Sequence, residues 1–187
     1  IVHRLDKDTS GVMIVARTPQ GFDEIKRLFM EHAIEKRYMA LVCGIIKKDF
    51  WEMESVIGRS TKRSAKQVSL PVDEDEGQVE RSIKNGKLAL TEFEVIERLQ
   101  NRFTLLYAYP KTGRMHQIRV QLSSFGFPIA NDRIYGARHG CRPRALSRLF
   151  LHAESLRFTL FGREYAFASP LPQELDDFLK KLRVAKK

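Results

Sequence analysis

The first residue whose surroundings suit chemistry is Asp6, which lies among basic and turn-forming residues directly ahead of an apolar run at residues 12–16. An apolar run that follows turn residues is typical of a buried strand, so we expect a strand at residues 12–16 and Asp6 in the loop before it. Such loops often carry reactive groups because the sheet holds them in place. The residue types alone favour a solvated carboxylate in a polar turn made by Asp8, Thr9 and Ser10.

The stretch that contains Asp6 is the first of three short motifs that together span much of the chain. They are HRLD at residues 3–6 with TSG at residues 9–11, KRYMALV at residues 36–42, and TGRMHQIRV at residues 112–120. Together they closely resemble the signatures of the RluA-type pseudouridine synthases, in the order in which that family has them. Three motifs in the right order argue against chance agreement, and the resemblance covers nearly the whole chain.

The resemblance implies a catalytic role for Asp6, Tyr38 and Arg119, which we call the trio. Asp6 matches the catalytic carboxylate, and Arg119 matches its partner. Tyr38 matches the residue that stacks on the target nucleobase, and it is also a candidate proton acceptor in the reaction. An arginine fork would orient the carboxylate and keep it ionised when substrate excludes water. The pattern alone favours a core strand position for Tyr38, with its hydroxyl hydrogen-bonded. It places Arg119 at the edge of an apolar helix face, where the charge either reaches water or is paired.

Further residues match positions that contact RNA in the family. Arg4 matches the arginine that fills the space vacated by the target base, and Ile118 matches an aliphatic wall of the uracil pocket. The resemblance also implies a basic loop that grips the RNA backbone at residues 59–66, although a solvated loop fits the pattern equally well. The expected RNA-contacting residues are Arg4, His3, Ile118, Arg114, Arg59, Lys62 and Arg63, with His3 expected to support its loop rather than to transfer protons.

The charge distribution favours a polyanionic partner. The formal net charge is +10, and the sequence pI is near 9.8. Residues 111–148 hold eight Lys or Arg against one acid, whereas acids cluster at residues 73–76. This separation favours a basic face, with residues 137–147 as a second RNA-facing loop. The resemblance makes structured RNA the partner, with ribosomal RNA ahead of transfer RNA.

Length and composition fit one domain at residues 1–187, with 43% hydrophobic residues and no apolar run long enough to span a membrane. Cys43 and Cys141 are not spaced as metal ligands, and Cys43 suits a small core residue. We expect both thiols to be reduced and the protein to be a cytoplasmic monomer. The chain begins at Ile1 without Met, so we expect earlier strands, and with them any organellar targeting segment, to be missing. Pseudouridine formation is an isomerisation, so we expect neither a cofactor nor a metal.

The remaining pattern indicates an α+β fold, with a mixed, largely antiparallel sheet flanked by helices and loops. The expected elements, in chain order, are a helix that begins at Thr18-Pro19, a strand at residues 33–44, a hairpin turn at Asn85-Gly86, an antiparallel pair at residues 88–99 and 103–109, a helix at residues 114–125 closed by Gly126, strands at residues 149–160 and 164–167, and a closing helix with Leu175, Phe178, Leu179 and Leu182 inward.

Two other functions compete with an RNA isomerase. An RNA-binding module that has lost catalysis would keep the basic face, although the intact trio argues against such decay. A glycoside or nucleoside hydrolase would need a second carboxylate in a matching motif, and none stands out. Three positions depart from the family pattern, namely Gln121, Phe127 and Asn131. They weaken assignment to one subfamily and therefore to one RNA site.

Overall fold

The protein is built on one twisted sheet with three helices, as seen in a computed structural model that describes residues 1–62, 66–72, 82–136 and 141–184. Within those ranges the elements, in chain order, are β1 (Ser10–Gly11), α1 (Pro19–Met30), β2 (Glu35–Cys43), β3 (Phe50–Ser60), β4 (Gln67–Pro71), β5 (Ile83–Leu99), β6 (Phe103–Pro110), α2 (Gln117–Ser124), β7 (Leu151–Leu160), β8 (Arg163–Ala168) and α3 (Gln173–Val184).

The strand order is β1-β7-β2-β6-β5-β3-β4, and β8 pairs with β7 beyond the end of β1. Only the β1–β7 pair is parallel among the described strands, and every other pair is antiparallel. The α+β class with a mixed, largely antiparallel sheet is therefore confirmed. No helix in the described part of the chain is both long and apolar enough to cross a membrane.

The β5–β6 hairpin agrees with the predicted antiparallel pair. Leu99 pairs with Phe103, and the turn between them contains Gln100 and Asn101 with positive φ angles. The predicted turn at Asn85-Gly86 is wrong, because β5 begins at Ile83 and runs through both residues. There the β3–β5 register shifts, so Asn85 with φ 54° belongs to a bulge rather than to a hairpin.

Two of the described helices, α1 and α3, follow their local signals closely, and α2 does not. Thr18 caps α1 by accepting the N–H of Gly21 on its hydroxyl at 3.1 Å, as its sequence predicts. The last helix, α3, buries the four predicted apolar residues in the main core. The predicted start of α2 at residue 114 is wrong: the helix begins at Gln117 because His116 has a left-handed backbone with φ 58°. Met115, within the segment predicted to be helical, is exposed.

The apolar run at residues 12–16 is not the buried strand that its composition predicts. The strand beside β7 contains only Ser10 and Gly11, and Met13 and Val15 are about half exposed. Alternate residues of the run instead pack against a small cluster of buried residues from α1 and β7. The run therefore packs over the apolar side of α1 as an irregular segment rather than forming a core strand.

The two cysteines differ from the expectation of separate, reduced thiols. Cys43 at the end of β2 forms a disulfide with Cys141, and their Cα atoms are 5.9 Å apart. A separation of 98 residues gave no local signal for this pairing. The hydrogen bond from the Asn131 N–H to the Cys141 carbonyl holds the same loop against the core.

Candidate active site

Ala153 of β7 fixes the position of the loop that carries Asp6 relative to Tyr38. Gly11 of β1 and Tyr38 of β2 both pair with Ala153, from opposite sides. A Cβ atom on Gly11 would lie 2.0 Å from the Ala153 carbonyl oxygen, and its φ is +126°, so only glycine allows this approach. The chain that carries Asp6 is thereby fixed two strand spacings from Tyr38.

His3 fixes the other end of the loop that carries Asp6. Its Nε2 accepts the N–H of Ile14 at 2.8 Å, and its ring lies 4.6 Å from that of Phe29. Burial, and then the charge of Lys36, lower the pKa of His3, which suits a neutral acceptor. The Thr9 N–H donates to the Asp6 carbonyl at 3.0 Å and closes the turn.

A cavity of about 550 Å³ opens beside this loop and contains the whole trio. Four of the other predicted RNA-contacting residues line the same cavity. They are His3, Arg4, Arg114 and Ile118. The structure therefore brings together seven of the ten predicted site residues, although their roles remain predictions.

The other three predicted residues lie elsewhere. Arg59 lines a separate cavity of about 420 Å³, which Arg114 also borders. Lys62 is exposed after the end of β3. Arg63 lies outside the described residues, as do residues 137–140 of the second predicted RNA-facing loop.

Arg119 joins two carboxylates at the floor of the cavity. Its Nη1 donates to Asp6 at 3.0 Å, so the predicted contact is present. Its Nε and Nη2 donate to the two oxygens of Asp132 at 2.8 Å and 3.0 Å. The Arg119 side chain is only 6% exposed, so it is a buried cation between two acids. The Asp6 carboxylate is 22% exposed and is the acid that a substrate can reach.

Asp132 is a site residue that sequence reasoning missed. Its Oδ1 also accepts the N–H groups of Ile134 and Tyr135 at 2.9 Å and 3.0 Å. Burial alone would raise the pKa of Asp132, but the hydrogen bonds and charge of Arg119 and the two backbone donors hold it below its ordinary value. Asp132 is therefore an ionised, immobile support for Arg119. The only available signal was its place directly after Asn131, one of the three positions that depart from the family pattern.

Lys36 is a second residue that the sequence did not single out. It lines the cavity, and its Nζ lies 3.4 Å from the carbonyl oxygen of Thr112. Burial, and then the charge of Lys111, lower the pKa of Lys36 to about 8. Alternation along β2 places it on the same side as Tyr38, which was the one indication in the sequence.

Tyr38 presents a protonated phenol to the cavity. Burial, and then the negative charge of Asp6, raise the pKa of Tyr38 to about 12. A phenol with such a pKa is not a free phenolate at neutral pH. Its ring is available for stacking, and proton transfer through its oxygen would need the charge of the bound substrate to change that balance.

The neighbouring His116 is neutral and oriented by Tyr135. The Tyr135 hydroxyl accepts the N–H of Gln67 at 3.1 Å and shares a hydrogen bond with His116 Nδ1 at 2.9 Å. Burial, and then the positive charge of Arg119, lower the pKa of His116. The imidazole therefore adds a polar wall to the cavity without adding a second cation.

The three departures from the family pattern lie away from the trio. Gln121 is buried and accepts from the Thr91 hydroxyl at 2.6 Å while donating to the Ser55 hydroxyl at 3.0 Å. Phe127 packs beside Phe125, and the Asn131 amide donates to a backbone carbonyl. Within the described part of the chain, none of them bonds to a member of the trio.

This fold, with an acid, an arginine and a phenol in one cavity on a mixed sheet, defines the class that the motifs predicted. The profile of the RNA pseudouridylate synthase family matches residues 1–124. The chain therefore belongs to the RNA pseudouridylate synthase family, and the resemblance found in the sequence is confirmed.

Individual relatives agree with this assignment. The chain is 36% identical to ribosomal large subunit pseudouridine synthase C of Vibrio vulnificus, covering 100% of this chain and 56% of the relative. It is 35% identical to ribosomal large subunit pseudouridine synthase D of Nitrosomonas europaea, covering 98% and 51%. The solved structure of human RNA pseudouridylate synthase domain containing 1 superposes with a TM-score of 0.77 at 28% identity, covering 98% and 80%. The chain thus spans about half the length of these curated relatives.

Proposed function

We propose that this protein isomerises uridine to pseudouridine in structured RNA, with Asp6 as the catalytic carboxylate. The observation that carries the proposal is the position of Asp6, whose carboxylate is fixed by Arg119 and open to a cavity that Tyr38 also lines. Family membership supports the same reaction.

The reaction conserves all atoms. The bond between uracil N1 and ribose C1′ breaks, the base turns, C5 bonds to C1′, and the proton on C5 is lost while N1 gains one. The step at C1′ requires a carboxylate that attacks the sugar or stabilises the charge that develops there. Arg119 suits Asp6 to this task because its guanidinium donates to the carboxylate at 3.0 Å and fixes the direction in which the carboxylate points.

The cavity also suits a base that has left its helix. Flipping a nucleotide out of folded RNA costs a few kcal/mol. Stacking on an aromatic ring returns about 1–3 kcal/mol per base, and Tyr38 is an aromatic residue that lines the cavity together with Asp6. Arg4 is exposed at the cavity edge, where a guanidinium could fill the gap left in the RNA.

Ribosomal RNA is the substrate that we favour, with transfer RNA as the second candidate. The two relatives described above are named for the large ribosomal subunit. The formal charge of +10 and the basic stretch at residues 111–148 suit any folded polyanion of this kind. The choice between the two RNAs rests on the names of the relatives rather than on charge.

Release of tritium from RNA labelled at uracil C5 tests the proposed reaction. The wild-type chain should release tritium from a ribosomal RNA transcript. Asp6→Ala should abolish release yet leave RNA binding within about twofold, because phosphate contacts dominate affinity. The matched control is Asp23→Ala, which removes an exposed acid on α1 and should release at the wild-type rate.

The outcomes separate the competing functions. Continued release by Asp6→Ala would show that another group is the catalytic carboxylate. Tight RNA binding by the wild type without any release would favour the RNA-binding module that has lost catalysis. Release of free uracil instead of pseudouridine would favour a hydrolase.

A further inference from the structure

A second, smaller cavity of about 160 Å³ lies on the other side of Arg119. It shares His116 and Arg119 with the large cavity, and it begins at Lys7, the residue after Asp6. Cavities that enclose a drug-sized ligand measure about 300–1,000 Å³, so this one suits a group of only a few atoms. The two cavities are therefore neighbouring parts of one cleft, with a large and a small compartment.

The small cavity carries an excess of positive charge. Its cations, besides Arg119, are Lys7, Arg133 and Arg148, and its acids are Asp8 and Asp132. The charge of Asp132 is already used by Arg119 and two backbone donors. Among the acids that line the cavity, Asp8 remains, and Glu174 outside the lining pairs with Arg148.

Two of these cations are free to bind a ligand. Lys7 and Arg133 are exposed, and neither side chain has a hydrogen bond or an ion pair within the described ranges. Arg148 is held in place instead, because its Nη2 donates to the Asp8 carbonyl at 2.6 Å and its Nη1 pairs with Glu174 at 3.2 Å. The cavity therefore combines a fixed guanidinium with two unengaged cations.

We propose that this small cavity binds one phosphodiester of the RNA next to the flipped uridine, through Lys7, Arg133 and Arg148. The inference rests on the proposed function, since it takes the base to lie beside Tyr38 and Asp6. A phosphate is compact, anionic and present on both sides of any target nucleotide. Arg119 and His116 border both cavities, and Lys7 follows Asp6 directly, so a phosphate held here lies next to the cavity proposed to take the flipped uridine.

Binding at this position would help to orient the reacting sugar. A phosphate fixed beside Asp6 limits rotation of the ribose whose C1′ must meet the carboxylate. The same contact is independent of base identity, because phosphates carry no sequence information. The small cavity would therefore contribute affinity and register rather than the choice of RNA site.

The test compares Lys7→Ala/Arg133→Ala with the control pair Lys26→Ala/Arg17→Ala. Arg17 and Lys26 are exposed, and Arg17 precedes α1, whose other end borders the large cavity. At about 1.5 Å per residue, the twelve-residue helix puts Arg17 roughly 18 Å from that border. Both pairs remove the same formal charge, so they separate a local contact from a general loss of charge.

The probe is a tritiated ribosomal RNA transcript whose binding is measured over a series of salt concentrations. The cavity pair should bind at least about tenfold more weakly, with a salt slope lower by about one per cation removed. The control pair should lose much less affinity. At saturating RNA, the cavity pair should also release tritium more slowly than wild type, because the ribose is no longer held beside Asp6, whereas the control pair should release it at the wild-type rate.

Two results would overturn the subsite. Equal losses in the cavity and control pairs would show only a general charge effect, and unchanged binding in the cavity pair would show no contact at all. Failure of the proposed function looks different, because the wild type itself would then release no tritium while the binding comparison could still separate the two pairs.

Discussion

Arg119 and Asp132 form a two-pronged ion pair in which both carboxylate oxygens accept from the guanidinium, at 2.8 Å and 3.0 Å. This pair leaves one nitrogen of the arginine, Nη1, to meet Asp6. A guanidinium bound at two points cannot rotate about its own axis, so the direction of its third donor is set. Asp132 is therefore a positioning residue that acts on Asp6 through Arg119.

Asp132→Asn should lower kcat by about 10–100-fold and leave KM for RNA within about threefold, because misplacement of a reacting group affects the chemical step. The amide can still accept the two backbone N–H groups but supplies only one acceptor to Arg119. Single-turnover tritium release at saturating RNA measures the effect. An unchanged kcat would show that Asp6 is oriented without Asp132.

A thermal melt of the same variant separates positioning from loss of the fold. Removing one partner of a buried ion pair can cost about 3–5 kcal/mol of stability, so some decrease in Tm is expected. Arg119→Lys is the informative companion, because it keeps the charge and loses the fork. It should also lose kcat, and equal activity of the lysine variant would contradict a role for the fork.

Tyr38→Phe and Tyr38→Ala should have different effects, because the ring and the hydroxyl have different proposed tasks. The alanine variant should bind RNA more weakly by about 1–3 kcal/mol, the value of one base stacked on a ring. The phenylalanine variant should bind like the wild type. If the hydroxyl removes the proton from uracil C5, the phenylalanine variant should form the new glycosidic bond yet release almost no tritium. Wild-type release by that variant would limit Tyr38 to stacking.

The parts of the fold that the sequence predicted correctly depend on neighbouring residues. Thr18 and the proline after it define the start of α1, and the alternation on either side of residues 100–102 defines the β5–β6 hairpin. The run at residues 12–16 was misinterpreted because its burial comes from α1 and β7, which are distant in sequence. Local composition does not show which partner covers an apolar stretch.

The site residues also divide into those that the sequence could predict and those that it could not. The contact between Asp6 and Arg119 joins residues 113 positions apart and was expected only from the resemblance to a family. Asp132 stayed unassigned, because no pattern distinguishes a buried acid in a loop from an exposed one. Lys36 was overlooked for a related reason: its lowered pKa comes from burial and from Lys111, which is brought near it only by the sheet.

Lys36 should make stability rise with pH in a defined window. Its pKa falls from an ordinary 10.5 to about 8 in the folded protein, so between those values the unfolded chain binds a proton that the folded protein lacks. The free energy of unfolding therefore increases as pH rises from about 8 to 10.5. The full contribution has an upper bound of about 3–4 kcal/mol, since the pKa falls by about 2.5 units and one unit corresponds to about 1.4 kcal/mol.

Urea unfolding at pH 7 and pH 9.5 checks this prediction, below the range in which the raised pKa of Tyr38 adds an opposite trend. Lys36→Met should be more stable than wild type at pH 7, with a smaller gain on going to pH 9.5. Lys26→Met, at an exposed position on α1, should keep the wild-type gain. The same pH response in all three proteins would show that Lys36 is not desolvated.

The disulfide between Cys43 and Cys141 should contribute strongly to stability, because it closes a loop of about 98 residues. For a loop of that length, the restriction of the unfolded chain is worth about 4–5 kcal/mol in the chain-entropy view. Cys141→Ser should therefore lower the urea midpoint relative to the oxidised wild type, and a reducing agent should shift the wild type to the same midpoint. The serine variant itself should not respond to the reducing agent, which makes it the control.

An oxidised wild type that unfolds at the same urea midpoint as the variant would show that the disulfide does not stabilise the folded protein. Because Cys141 also adjoins the loop that carries Asp132, tritium release by the variant should fall in step with any loss of the folded population and no further.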